Sequence, residues 1–207
     1  MRIENYSVLL QRAIDAFASL PGVGGKTALR LALYTLRQEK DFATTFCNSI
    51  LDMVNEVRFC KRCHNISDQE ICSICNDVSR DSSVLCVVEG IREVIAIEST
   101  GRYHGYYHII GGIISPVDKI FPTDLFLDDL PKRVEEEGIR EVILALSATT
   151  EGDTTNFYIY RLLEELPVKV SVLSRGVSVG DELEYADEVT LGRSIEHRIA
   201  FEDTLGP

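Results

Sequence analysis

Apolar residues recur at helical spacing through the first quarter of the chain. Leu10, Ile14 and Phe17 fall at i, i+4 and i+7, and after a cluster of glycines Ala28, Leu31, Ala32, Thr35 and Leu36 repeat that spacing. The pattern predicts an all-helical head over 1–57. Residues 58–80 are polar and cysteine-rich with little period, as expected of a segment that cannot build an apolar core of its own. From 84 onward short apolar runs, "VLCVV", "VIAI", "YYHII", "EVILAL", "VKVSVL" and "EVTL", alternate with helical candidates near 124–137, 153–165 and 192–203. That alternation predicts an α/β fold in which helices cover a mostly parallel sheet. The expected organisation is a head over 1–57, a small cysteine element over 58–80, a sheet domain over 81–175, and a C-terminal strand-and-helix segment over 176–207.

Composition narrows the class. With 207 residues, 45% of them hydrophobic and 26% charged, the chain can bury a full core. No apolar run approaches the ~18 residues that span a bilayer. The opening "MRIENYSVLLQRAIDAF" intersperses Glu4, Gln11, Arg12 and Asp15 among its apolar residues, unlike the unbroken core of a secretory signal. A cytoplasmic protein without a membrane partner is expected.

A net charge of −12 argues at first against nucleic acid, whose binding rests on lysine and arginine. The charge is unevenly spread. Residues 1–62 carry nine Lys/Arg against six Asp/Glu, and residues 63–207 carry twelve against twenty-seven. Screening confines surface fields to ~8 Å at physiological salt, so a local basic face can act on an acidic chain. A polyanion should meet the N-terminal third.

The stretch "LPGVGGKTALRLA" at 20–32 defines where. A phosphate-binding P-loop needs a glycine five residues before Gly25, and Leu20 stands there; the preceding helical period is also the wrong context. A dinucleotide fingerprint fails for want of a βαβ unit and a third glycine. Helix, tight glycine turn, helix remains. Gly22 and Gly24 are expected to take the positive φ of a short hairpin, and Val23 to plug the gap between the helices. A second helix starting near Gly25 turns free amides and its positive dipole end outward, with Lys26 and Arg30 four apart beside them. Such a surface reads phosphate and not base identity. The plain alternative is a helical hairpin with a solvated basic face.

Cys60-x₂-Cys63, eight residues, then Cys72-x₂-Cys75 sets two knuckles that can place four thiolates around one structural zinc. Four thiolates close the shell, so no metal catalysis is expected there. His64 is then a surface residue, and Cys47 and Cys86, in apolar runs, are buried small hydrophobes.

In the sheet domain Glu89 follows the buried run "VLCVV", and Glu151 and Asp153 follow "VILAL". Carboxyl ends of parallel strands form the ligand crevice of such sheets, and three carboxylates there suit Mg²⁺. By spacing alone the plainer reading is ahead: Asp153 or Thr150 caps the next helix, and Glu89 is a solvated loop charge.

"LPGVGGKTALRLA" resembles the helix-hairpin-helix motif of DNA-binding proteins, and a Glu after the first strand with an acidic-x-acidic pair after a later one resembles the Toprim domain. With the four-cysteine element between them, and with "LCVVE", "ESTGRYHGYYHIIGGIISPVD", "TTEGDTT" and "VGDELEYADEVTL", the whole chain resembles the RecR family of bacterial recombination mediators. The resemblance implies a DNA-repair scaffold and not an enzyme. It implies sequence-independent binding of single- and double-stranded DNA through Gly22, Gly24, Lys26 and Arg30, and zinc on Cys60, Cys63, Cys72 and Cys75. Glu89, Glu151 and Asp153 would serve partner contact. The implied partners are RecO and RecF, with recombinase loaded onto single-stranded or gapped DNA, and the implied assembly is a dimer or tetramer ring that uses the C-terminal segment. Two loops depart from the family pattern: Lys119 and Phe121 stand where glycines are usual, and Ser178 and Asp181 where proline and glycine are. The competing expectation is a Mg²⁺-dependent Toprim nuclease or other phosphoryl-transfer enzyme; a third is a pure protein-interaction adaptor.

Overall fold

The computed structural model describes residues 7–174, 176–177, 180, 182–196 and 198. The chain divides into two units, Met1–Val57 and Arg58–Pro207.

The first unit is helical, as predicted. Helices α1 (Val8–Ala18), α2 (Gly25–Leu36) and α3 (Lys40–Glu56) follow one another. Ser7 starts α1 by accepting from the Leu10 amide at 3.3 Å. Ile14 of α1 packs on Ala28 and Ala32 of α2, and Leu10, Phe17 and Val23 close around them, so Val23 does fill the gap between the helices. Helix α3 has no buried residue among those described, and Phe42, Phe46, Ile50 and Val54 lie exposed along it. Cys47 on that helix is exposed too, against the expectation of burial. Its apolar neighbours in sequence belong to a face that nothing described in this unit covers.

The second unit opens with a two-stranded antiparallel ribbon, β1 (Arg58–Phe59) and β2 (Ile66–Ser67), and a short helix α4 (Ser73–Asn76). Then follow β3 (Asp81–Val88), α5 (Ile91–Ser99), β4 (Gly105–Ile109), α6 (Leu130–Glu136), β5 (Glu141–Leu144), α7 (Thr150–Leu163), β6 (Lys169–Val172) and α8 (Glu188–Glu196). The four later strands form one all-parallel sheet in the order β4-β3-β5-β6, with Leu85 opposite both Tyr106 and Val142, and Val142 opposite Val170. Central β3 is buried on both faces, which is why "VLCVV" reads as a continuous apolar run. Leu85 and Val87 join Val134 of α6 and Ile159 of α7 in one core; Cys86 and Val88 join Val94 of α5, Tyr107 and the four zinc-spaced cysteines in the other. The cysteine element therefore completes the sheet's second hydrophobic layer. Burial pushes the Cys86 thiol up to about 12, which leaves it a packing residue, as expected.

Two short apolar runs are helical and not extended. "VIAI" lies inside α5, where Glu93 reaches back to the Gly90 amide at 2.9 Å and starts a helix with Val94 inward and Ile95 outward. "EVTL" lies inside α8, begun by Asp187 accepting from the Thr190 amide at 2.9 Å. Among the described residues of 176–207 there is a 3₁₀ turn, Leu183–Tyr185, and α8, but no strand. The helical candidate 124–137 is split into a 3₁₀ turn at Pro122–Asp124 and α6, whose second residue is Pro131. Ser178 and Asp181 lie outside the described residues. No helix among the described residues is long and apolar enough to cross a membrane.

Candidate nucleic-acid interface and zinc centre

The glycine turn is built unequally. Gly22 takes φ +78°, a left-handed conformation that a side chain strains, and the Val23 amide donates to the Leu20 carbonyl at 3.1 Å. Gly24 does not share that conformation. At φ −78° and ψ 163° it is the extended N-cap of α2, and it has no side chain to cover the helix's first amides. Lys26 and Arg30 stand exposed on the turn that follows. They border an open groove of about 400 Å³ lined by Lys26, Leu29, Arg30, Leu33, Tyr34 and Arg37. Among the described residues, none of these three cations has an ion-pair partner.

The four cysteine thiols converge. Cys60, Cys63, Cys72 and Cys75 are all buried, with their sulfurs within 4.8 Å of one another. Cys63 Sγ and Cys72 Sγ are 3.6 Å apart, close to the about 3.8 Å that a tetrahedron of 2.3 Å Zn–S bonds requires. The Cys72 amide donates to Cys60 Sγ at 3.3 Å and the Cys75 amide to Cys72 Sγ at 3.4 Å, contacts that favour thiolates. The hydrogen bonds shared with Cys63 and then Cys75 hold the Cys72 thiol well below its ordinary value, while the same contact with Cys72 drives the Cys63 thiol up. Four thiols this close cannot all ionise without a cation among them, and a divalent metal resolves the conflict.

His64 follows Cys63 at φ +62° and is not the free surface residue expected of it. Its ring stacks on Phe126 at 4.2 Å and its Nε2 lies 2.8 Å from Asp129 Oδ2. Behind it His108 is fully buried. Arg133 Nη1, which can only donate, sits 3.2 Å from His108 Nδ1, so that nitrogen accepts and Nε2 donates to the Phe126 carbonyl at 2.7 Å. Burial pushes the His108 pKa down to about 4, and the Arg133 charge acts in the same direction. His64, His108 and Asp129 are metal-ligating types brought together, but with His108 Nε2 protonated and Nδ1 facing a cation the group is a hydrogen-bond cluster. Arg62 continues it, forked onto Glu137 at 2.8 and 3.0 Å, donating to the Cys75 carbonyl at 2.9 Å and lying 4.3 Å over the Tyr106 ring. The sequence offered no local signal for this network.

The strand-end carboxylates occupy the expected crevice without converging. The order β4-β3-β5-β6 puts the topological switch between β3 and β5. Glu89, just past β3, accepts from the Ser147 amide beyond β5 at 2.6 Å, so it is a structural bridge and not a solvated loop charge. The cap of α7 is Thr149, whose hydroxyl accepts from the Gly152 amide at 3.1 Å, in place of Thr150 or Asp153. Glu151 and Asp153 lie in the first turn, Glu151 exposed and Asp153 3.5 Å from Arg193 Nη2. Glu89, Glu151 and Asp153 do not bring their oxygens within 4.8 Å of one another.

The departing loop is explained in part. Lys119 takes φ +60°, in a turn closed by the Ser115–Ile120 bridge and by Ser115 Oγ against Asp118 Oδ2 at 2.7 Å. A glycine is natural there. Phe121, at φ −108°, has no such need.

Family models match the chain in succession: RecR, helix-hairpin-helix over 10–54; RecR, four-cysteine zinc finger domain over 57–77; Toprim domain over 83–174; and RecR, C-terminal over 176–199. The recombination protein RecR of Bacteroides thetaiotaomicron is 58% identical over 199 residues, 96% of this chain and 97% of that protein. That of Porphyromonas gingivalis is 57% identical over 204 residues, 98% and 99% of the two chains, and that of Flavobacterium psychrophilum 50% identical over 203 residues, 98% of each. The zinc-finger match coincides with the four buried thiols, and the cofactor of this element is a structural zinc.

Proposed function

Since the chain belongs to the RecR family of recombination proteins, we propose that it serves recombinational DNA repair as a scaffold that holds DNA through α2, and that it is not an enzyme. The observation that carries this reading is the start of α2: uncapped amides beside Lys26 and Arg30, cations without ion-pair partners among the described residues, on a chain of net charge −12. The turn of Gly22 and Gly24 brings the backbone close to a phosphate, and the two side chains neutralise its neighbours.

One head makes few contacts. Several heads in one assembly raise avidity ~10² or more, so the functional unit is a homo-oligomer, a dimer or a tetrameric ring. The uncovered apolar face of α3 supports an assembly of copies. RecO docks at the strand-end carboxylates Glu89, Glu151 and Asp153, RecF joins at gapped junctions, and recombinase is loaded on the single strand. The setting is the cytoplasm.

The spread of the three carboxylates disfavours a Mg²⁺-dependent nuclease, since metal-assisted phosphoryl transfer needs them on one ion. Supercoiled and single-stranded DNA incubated with the protein and Mg²⁺ should stay uncut; cleavage abolished by Glu89→Gln would replace the scaffold by an enzyme. The central test is a gel-shift titration against salt. Lys26→Ala with Arg30→Ala should abolish binding uniformly across sequences, and in a residual complex reduce the slope of log K against log salt by about 2. Undiminished binding by the folded double variant would move the DNA site elsewhere.

A further inference from the structure

Beyond phosphate contact, the groove on α2 has a composition that duplex binding does not need. Its six lining residues include three cations and no anion, in a chain with a twelve-charge acidic excess. Lys26, Arg30 and Arg37 lie within about 40° of arc on the helix and span about 16 Å along it. Beside this ridge Tyr34 is 54% exposed, about 40° further round from Arg30, and Leu29 and Leu33 form an apolar floor. The Tyr34 ring is held at 6.1 Å and 84° against Phe42, which itself stacks parallel to Phe46 at 6.4 Å. The ring is therefore steadied by an aromatic neighbour and remains about half exposed beside positive charge.

Bases in a duplex stack on each other and turn only their edges outward. A ring on a helix face, set beside cations that track a backbone, matches a strand whose bases are splayed. Aromatic platforms inside basic grooves hold single strands in this way, without reading sequence. Resting on the proposal that Lys26 and Arg30 meet DNA phosphates, we infer that Tyr34 is a base-stacking platform and Arg37 a third phosphate contact, so that this head discriminates single-stranded from duplex DNA. Lys26 and Arg30 serve both forms, and Tyr34 and Arg37 confer the preference.

The chain has no tryptophan, so Tyr34→Trp introduces a single reporter on an exposed helix position. In the full-length protein its emission should be quenched on titration with oligothymidylate and little changed by a blunt duplex of equal length. Tyr34→Ala should weaken oligothymidylate binding about tenfold and duplex binding less than about twofold, with Tyr34→Phe retaining the wild-type preference. Arg37→Ala should lower the single-strand salt slope by about 0.7. Equal losses on both DNAs, no loss on either, or an unquenched tryptophan would overturn the inference. A change in solution mass of Tyr34→Ala by light scattering would also overturn it, by assigning the ring to a contact between copies. The two readings fail separately: a silent Tyr34→Ala alongside a non-binding Lys26→Ala/Arg30→Ala variant removes only this inference, and full binding by the double variant removes the phosphate site beneath it.

Discussion

Arg62 and Glu137 meet through both prongs of a fork, Nε to Oε1 at 2.8 Å and Nη2 to Oε2 at 3.0 Å, and so tie the first cysteine knuckle to the C-cap of helix α6. Arg133 shares the same carboxylate at 3.1 Å. Besides its apolar packing, the zinc element is thus tied to the sheet domain through one acidic side chain between two guanidiniums.

Removing that carboxylate leaves two confined positive charges facing each other. Glu137→Ala should cost about 2–3 kcal/mol in urea denaturation, more than Arg62→Ala, which leaves Arg133 still paired. Zinc content at neutral pH should be unchanged in both. If Glu137→Ala proves neutral, the fork is ornamental and the apolar contacts alone dock the element.

A second, partly buried pair predicts a pH dependence. Arg80 donates to Glu98 at 2.9 Å, and the Tyr107 hydroxyl donates to the same carboxylate at 2.7 Å. Chiefly through Arg80, and then Tyr107, the Glu98 pKa lies below its ordinary value. A carboxylate depressed in the folded state adds stability above its unfolded pKa, about 4.3, and loses it as pH falls through the folded value. Glu98→Gln should therefore be less stable than wild type at pH 7, and the gap should close as pH falls below about 4. Comparing the two proteins cancels the zinc release that acid also causes. A gap independent of pH would show that the charge is not what Arg80 and Tyr107 recognise.

Zinc should be a folding component of the second unit. The four cysteines share a core with Val88, Tyr107 and Ile109, so losing the metal exposes one face of the sheet. Cys72→Ser should lower bound zinc from about one per chain to none and lower the melting temperature of the whole unit. A chelated protein with an unchanged melting curve would contradict this.

Two glycine-related positions should respond in opposite directions. A Cβ at Gly152 would collide with the Ser147 carbonyl oxygen, a backbone atom that cannot swing aside, so Gly152→Ala should cost about 2 kcal/mol or more and disturb the Glu89–Ser147 bridge. Lys119, at φ +60°, is in a conformation that costs a side chain about 1 kcal/mol. Lys119→Gly should be neutral to stabilising by about 0.5 kcal/mol in thermal melts. A destabilised Lys119→Gly would mean that its side chain makes a contact worth more than the strain.

The features legible in sequence are those whose physics is local. Cys60, Cys63, Cys72 and Cys75 were readable because a knuckle needs two ligands three residues apart, and Lys26 and Arg30 because one helical turn separates them. Short runs were ambiguous for the same reason: four apolar residues such as "VIAI" satisfy a strand or one helical turn equally, and the Glu93 and Asp187 starts decided for helix. His64 and Cys47 went wrong because burial depends on what the fold lays over a residue, Phe126 and Asp129 for the first and nothing described in its own unit for the second.

By itself the sequence determined the helical head, the zinc ligand set, the parallel sheet and the place of the glycine turn between the first two helices, since hydrophobic period, ligand spacing and turn chemistry all act over a few residues. Only the tertiary structure decided that Arg62 grips Glu137 from 75 residues away, that His108 is held neutral between Arg133 and Phe126, and that Glu89 bridges to Ser147 without gathering Glu151 and Asp153 into one cluster. Those choices rest on directional contacts between distant segments, whose partners are set by how strands order in a sheet and not by any period along the chain.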